Sequence, residues 1–116
     1  MYIYPMKPNS PLLRGSLIPI ILKLLEDNGR MYGYEITRVV KENSGGMINL
    51  TEGALYPALH KLEADGLVET TIEQIDNRSR KYYRLSKKGK KETVLRLTEL
   101  ADYLKSMHLL LQPVIK

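Results

Sequence analysis

The stretch from residue 51 to 68 constrains this chain more than any other. Thr51-Glu52-Gly53-Ala54-Leu55-Tyr56-Pro57-Ala58-Leu59-His60-Lys61-Leu62-Glu63-Ala64-Asp65-Gly66-Leu67-Val68 reads as a capped helix that stops and runs into a strand. Thr51 is a candidate N-cap, its hydroxyl able to accept a bond from a free N–H of the first turn. Glu52 then places an anion where the helix dipole favours one. Leu55, Leu59 and Leu62 recur at helical spacing and define one apolar face. Gly66 can take the left-handed backbone that ends a helix. At about 100° per residue, Gly53, Pro57, His60 and Lys61 point away from the leucines. That outer face is small, polar and basic, so its backbone can approach another surface closely. It suits a helix laid in the major groove of DNA; on this stretch alone, an ordinary solvated helix is the alternative.

Charge distribution favours the first reading. The net charge is +5, yet the segment from Asn77 to Lys91 holds eight basic residues and no acidic one, so the rest sums to −3. These cations are Arg78, Arg80, Lys81, Arg84, Lys87, Lys88, Lys90 and Lys91. A concentrated basic segment on a mildly acidic body points to an anionic polymer as partner.

The elements around the capped helix can be read in order. Residues 1–9, with Pro5 and Pro8 and no period, are expected to form an extended N-terminal arm. Ser10-Pro11 opens a helix. Its apolar stripe is Leu13, Leu17, Ile20, Ile21, Leu24 and Leu25, and Asn28-Gly29 ends it. Pro19 and Pro57 lie inside helical patterns. Each has a glycine four residues earlier, Gly15 and Gly53, where the proline ring would press, so kinks rather than breaks are expected. Tyr32-Gly33-Tyr34-Glu35-Ile36 opens a second helix with Ile36, Val39 and Val40 inward, ending near Ser44-Gly45-Gly46. Met47 to Leu50 is a connector with some strand character. Two short helices joined by a brief turn, the second basic outside, make a helix-turn-helix.

After Gly66, Val68, Thr70 and Ile72 alternate with Glu69, Thr71 and Glu73, the period of a half-buried strand. Asp76-Asn77-Arg78-Ser79 is a turn cluster, and Lys81-Tyr82-Tyr83-Arg84-Leu85 a second strand. One of Tyr82 and Tyr83 must face the core. The hairpin has a basic tip, a wing able to reach adjacent phosphates or the minor groove. Ser86 can cap a last helix whose first turn carries Lys87, Lys88, Lys90 and Lys91, unfavourable against the positive end of its dipole. Breaking a local rule there suggests another use, such as phosphate contact. Farther on, Leu97, Leu100, Leu104, Met107 and Leu111 step by 3, 4, 3 and 4, a heptad seam, with Val94, Tyr103 and Leu110 beside it. One small domain cannot easily cover so long a seam, so pairing with a second copy is expected. His108 beside the seam reads as an interface histidine.

The expected fold is α+β, mainly α. It comprises an arm (1–9), a winged helix-turn-helix with a two-stranded wing (10–86) and a long C-terminal dimerisation helix (87–116). Catalysis has little support: there is no cysteine, the two histidines stand far apart, and no glycine-rich phosphate loop follows a strand. No cofactor and no metal are expected. The longest dense apolar run is too short to span a bilayer, and the N-terminus lacks a signal pattern, so the cytoplasm is the expected compartment and no membrane partner is expected.

Several strings resemble the PadR-like family of winged-helix transcription regulators. They are Tyr32-Gly33-Tyr34-Glu35-Ile36, Thr51-Glu52-Gly53-Ala54-Leu55-Tyr56-Pro57, Glu63 to Val68, Arg80 to Leu85, and Lys88-Gly89, spread over residues 12–90. The tail is similar to that of short-form members with one C-terminal helix. The resemblance implies a homodimer built through that helix, and a tyrosine, here Tyr56, touching the DNA backbone. It further implies repression relieved or modulated by a small apolar or aromatic effector. Drug-responsive members stack flat aromatics on a tryptophan of the last helix. This chain has no tryptophan and no phenylalanine and offers Leu97, Leu100 and Leu104 instead.

Together these readings nominate Tyr34, Thr51, Gly53, Tyr56, Pro57, His60, Lys61, Arg78, Arg80, Lys81, Lys87 and Lys88 as DNA-contacting. They nominate Val94, Leu97, Leu100, Leu104, Met107 and Leu111 for the dimer interface. The expected operator is a double-stranded, pseudo-palindromic site. The competing reading is a winged-helix adaptor whose basic wing binds an acidic protein partner.

Overall fold

The computed structural model describes residues 10–113; the expected arm at 1–9 lies outside them. The core forms where the apolar stripes meet. Helix α1 (Pro11–Asn28) contributes Leu13, Leu17, Ile21, Leu22, Leu24 and Leu25. Of the expected stripe, Ile20 is only half-buried, and Leu22, which was not assigned to it, is fully buried. Helix α2 (Gly33–Asn43) adds Ile36 and Val40, and α3 (Glu52–Ala64) adds Leu55, Leu59 and Leu62. Both α1 and α3 run unbroken through Pro19 and Pro57.

Glycines stop the helices as their backbones allow. Asp65 caps α3 and Gly66 follows at φ 73°, with Gly66 N–H bonded to Glu63 O (3.0 Å) and Leu67 N–H to Leu62 O (2.9 Å). This is a Schellman ending. The segment from Met47 to Leu50 is an irregular connector, without a strand.

The sheet has three strands, where two were expected. Strands β2 (Val68–Ile75) and β3 (Arg78–Leu85) form the hairpin, and β1 (Arg30–Tyr32) pairs antiparallel with β3, giving the order β1-β3-β2. Three residues between two helices carry too little alternation to be seen in sequence. The turn is tighter than expected: only Asp76 (φ 50°) and Asn77 (φ 62°) lie outside the strands. Two left-handed residues in succession suit the twist of a hairpin.

Met31, Val68, Tyr83 and Leu85 turn inward against the helices. Tyr83, not Tyr82, is the tyrosine in the core, at 2% exposure. Inward alternation fails at Ile72, which is 66% exposed, because the hairpin has there left the body of the domain.

Helix α4 (Lys87–Leu110) packs on α1 but buries only Gly89 and Thr93. Its projection explains a radius of gyration of 15.5 Å, against about 13 Å for a compact domain of this length.

Candidate nucleic-acid interface

The candidate DNA-facing surface is built by α3. Thr51 caps it as expected, its hydroxyl accepting from Ala54 N–H at 3.2 Å. Gly53, Tyr56, Pro57, His60 and Lys61 all lie on the exposed side. A Cβ at Gly53 would meet nothing nearer than Thr51 Oγ1 at 3.9 Å, so the helix there is open to an approaching surface. Thr51, Gly53, Pro57 and Lys61 share a groove of about 510 Å³ between α1 and α3. Arg14 of α1 lines the same groove, a cation the sequence did not single out.

Tyr56 is 37% exposed and its ring lies on Gly33 at the start of α2. A Cβ on Gly33 would sit 2.5 Å from the phenol oxygen. The glycine of Tyr32-Gly33-Tyr34 therefore leaves room for the tyrosine of α3, a dependence between two strings that neither shows alone. Tyr34 is 67% exposed and borders a second groove with Arg38, Lys41 and Asn49. Tyr32 packs edge-on against Tyr82, with centroids 5.4 Å apart, on the outer face of the sheet.

The expected wing cations differ in their surroundings. Arg78 is exposed beside the turn and has no ion-pair partner among the described residues. Arg80 lies over the Tyr32 ring, 4.6 Å from its centroid, and its guanidinium pKa is raised, first by a hydrogen bond to Tyr82. Lys81 points back to α3, with Nζ 3.1 Å from Glu63 Oε1. Thr70 Oγ1 donates to the other carboxylate oxygen at 3.2 Å. These bonds, that of Lys81 foremost, hold the Glu63 carboxyl below the usual range. Arg30 stacks on Tyr82 at 4.1 Å and forks onto Glu73, lowering that carboxyl in the same way. Glu63, Glu73 and Arg30 are absent from the sequence-based assignment because only the strand register brings their partners to them.

At the start of α4, Lys87 is exposed, while Lys88 Nζ donates to Asp65 O at 3.0 Å. The lysine placed badly for its own helix dipole is thus placed well for the negative end of α3. Along α4 the expected seam divides. Leu97 and Leu100 are half-buried and line clefts against α1. Val94 (65% exposed), Leu104 (58%) and Leu111 (41%) are open, and Met107 is half-buried.

Among the described residues no group of three potential metal ligands occurs, and no helix is long and apolar enough to cross a membrane.

Comparison with known proteins agrees with this architecture. Residues 21–94 match the model of the transcriptional regulator PadR-like family. The chain belongs to the PadR-like family. A protein of Lysinibacillus sphaericus with no assigned function is 34% identical over 82 residues, 70% of this chain and 74% of its own length. A transcriptional regulator from Clostridium thermocellum superposes with TM-score 0.81 at 27% identity, over 89% of this chain and all of that one. A PadR family transcription regulator from Clostridium difficile is 31% identical, with TM-score 0.71, over 84% of this chain and 99% of that one. As a PadR-like regulator the chain has a winged helix-turn-helix fold and a role in transcription regulation through DNA.

Proposed function

We propose that this PadR-like protein is a homodimeric, sequence-specific repressor in which α3 enters the major groove and the hairpin tip reaches neighbouring phosphates. The observation that carries the reading is the pairing of two incomplete surfaces. Most of α4 lies uncovered, with Val94, Leu95, Tyr103, Leu104 and Leu109 each more than half exposed. Such an apolar face on a regulator calls for a self-complementary partner. Meanwhile α3 presents a glycine, a proline, a tyrosine and two nitrogen-bearing side chains outward, with no apolar stripe that would bind protein instead. Two copies joined through α4 would offer their α3 helices to half-sites about one helical turn, ~34 Å, apart.

In this reading Thr51, Gly53 and Pro57 let the backbone come close, and Tyr34 and Tyr56 offer hydroxyls to phosphates. His60 and Lys61 reach the groove. Arg78 and Lys87 supply the outward cations, while Arg80, Lys81 and Lys88 contribute charge from fixed positions. The cleft between α1 and α4, about 880 Å³, is walled by the apolar Leu12, Leu95 and Tyr103 and by the charged Glu92, Arg96 and Glu99. This mixed lining suits a small apolar or aromatic effector that also carries a polar group, which would act by changing how α1 and α4 pack.

Sedimentation and gel retardation test the proposal together. The wild-type protein is expected at twice the 13.3 kDa chain mass and to retard selected genomic fragments, with affinity falling steeply in salt. Leu104→Asp should yield monomers and lose specific retardation. A lone wild-type chain at micromolar strength, with no preferred fragment, would refute it.

A further inference from the structure

We propose that the corner between α3 and α4 is a rigid joint that sets which half-site spacing the dimer accepts, with Ser86, Lys88 and Gly89 as its positioning residues. This inference rests on the dimeric DNA-binding reading above.

Asp65, Gly66 and Leu67, three consecutive residues, have every backbone polar group bonded. Their N–H groups all bond into α3: Asp65 to Lys61 O (2.9 Å), Gly66 to Glu63 O (3.0 Å) and Leu67 to Leu62 O (2.9 Å). Their carbonyls all accept from the start of α4. Asp65 O takes Lys88 Nζ at 3.0 Å, Gly66 O takes Ser86 Oγ at 2.6 Å, and Leu67 O takes Ser86 N–H at 3.0 Å. Every polar group of the corner is thus committed to one helix or the other, with none left to a flexible hinge.

Contact is as close as backbone allows. A Cβ on Gly89 would lie 1.9 Å from Leu67 O and 2.9 Å from its carbonyl carbon, so only glycine fits. The first turns of α4 are tied internally as well: Ser86 Oγ accepts from Gly89 N–H at 3.0 Å, and buried Thr93 Oγ1 donates to Gly89 O at 2.7 Å. The recognition helix and the dimerisation helix are therefore fastened end to end. Whatever angle two α4 helices adopt on pairing is passed to both α3 helices without slack.

The consequence is sharp spacing selectivity. One inserted base pair turns a half-site by about 35° and moves it by about 3.4 Å. A rigid dimer cannot follow, and loses the gain from engaging both halves, which is on the order of 100-fold. A loosened joint can follow.

The test uses full-length protein and duplexes recovered by genomic selection, remade with one or two base pairs added or removed between the half-sites. The double variant Ser86→Asp, Lys88→Met removes two ties. Aspartate still caps α4 by accepting from Gly89 N–H, but cannot donate to Gly66 O. Wild-type affinity should fall on the order of tenfold or more per base pair of altered spacing. The variant should fall by about threefold or less, each protein being measured against its own affinity for the unaltered spacing. If circular dichroism shows the double variant unfolded, each single variant carries the same comparison.

A variant profile as sharp as wild type overturns the joint while leaving the DNA-binding reading intact. So does a wild type indifferent to spacing. Failure of the wild type to retain any selected duplex refutes the underlying reading, and the joint falls with it.

Discussion

Gly89→Ala is the substitution for which local propensity and tertiary packing give opposite answers. Residue 89 is the third helical position of α4, where alanine gains up to about 1 kcal/mol over glycine from helix propensity alone. Packing reverses the sign. The new Cβ would stand 1.9 Å from Leu67 O, so the two backbones must separate by about 1.5 Å to reach ordinary contact at 3.4 Å. Displacement on that scale breaks the bonds from Ser86 N–H to Leu67 O and from Ser86 Oγ to Gly66 O, now 3.0 and 2.6 Å. Each is worth about 1 kcal/mol, and leaving the carbonyl of the buried Leu67 unpaired costs about 1–3 more. Set against the propensity gain, the net loss is about 3 kcal/mol, or on the order of 10 °C in melting temperature for a domain of this size. Gly53→Ala provides the contrast. Its Cβ meets nothing nearer than 3.9 Å, so propensity acts alone and the melting temperature should hold or rise. Thermal unfolding followed by circular dichroism at 222 nm, at fixed protein concentration, reads both. A Gly89→Ala protein that melts at or above wild type would show that α4 does not rest on the Leu67 backbone.

Two further substitutions test whether the outward cations contact DNA while the bound ones build the scaffold. Arg78→Ala should reduce the salt slope of DNA affinity by about one and leave the melting temperature unchanged, whereas Lys81→Met should lower stability with little change in slope; equal slope changes for both, measured by titration across salt concentrations, would contradict the assignment. Acid sensitivity follows from Glu63, whose carboxyl is held below its ordinary value of 4.5 first by Lys81. A depressed folded pKa stabilises above the unfolded value, and that contribution is lost as pH falls through the folded one. Glu63→Gln should therefore flatten the loss of stability below about pH 4.5, seen in melts between about pH 6 and about pH 3; an unchanged acid limb would remove the Lys81–Glu63 link from the account.

What could be read from sequence follows the range of the interactions concerned. The cap at Thr51, the stop at Gly66 and the leucine face of α3 are encoded within a few residues of one another, and the structure places them as expected. So is the outward set Gly53, Pro57, His60 and Lys61, since helical rotation alone decides it. Strand β1 was not legible, because Arg30, Met31 and Tyr32 become a strand only by pairing with Arg84, Tyr83 and Tyr82. Ile72 was misplaced for a related reason: alternation records which face a residue takes, not how far the hairpin has left the core. The contact of Tyr56 with Gly33 joins positions 23 residues apart, beyond any local pattern.

The basic segment shows how composition and geometry divide the argument. As a string, its eight cations form one electrostatic signal. In the fold they separate by partner. Lys81 and Arg80 are bound to Glu63 and to the Tyr32–Tyr82 pair, so they fix the hairpin against α3 and β1. Lys88 holds the far end of α3 through Asp65 O. Arg84 lies 3.7 Å from Glu69 across the hairpin. Arg78 stays outward at the tip, and Lys87, Lys90 and Lys91 are exposed at the base of α4. On the proposed reading, the charges that orient the hairpin and α3 are thus distinct from the outward ones that would release counterions on DNA. A phosphate-contacting side chain is effective only if its backbone is already held at the right distance, so the bound cations matter to affinity through placement rather than through contact.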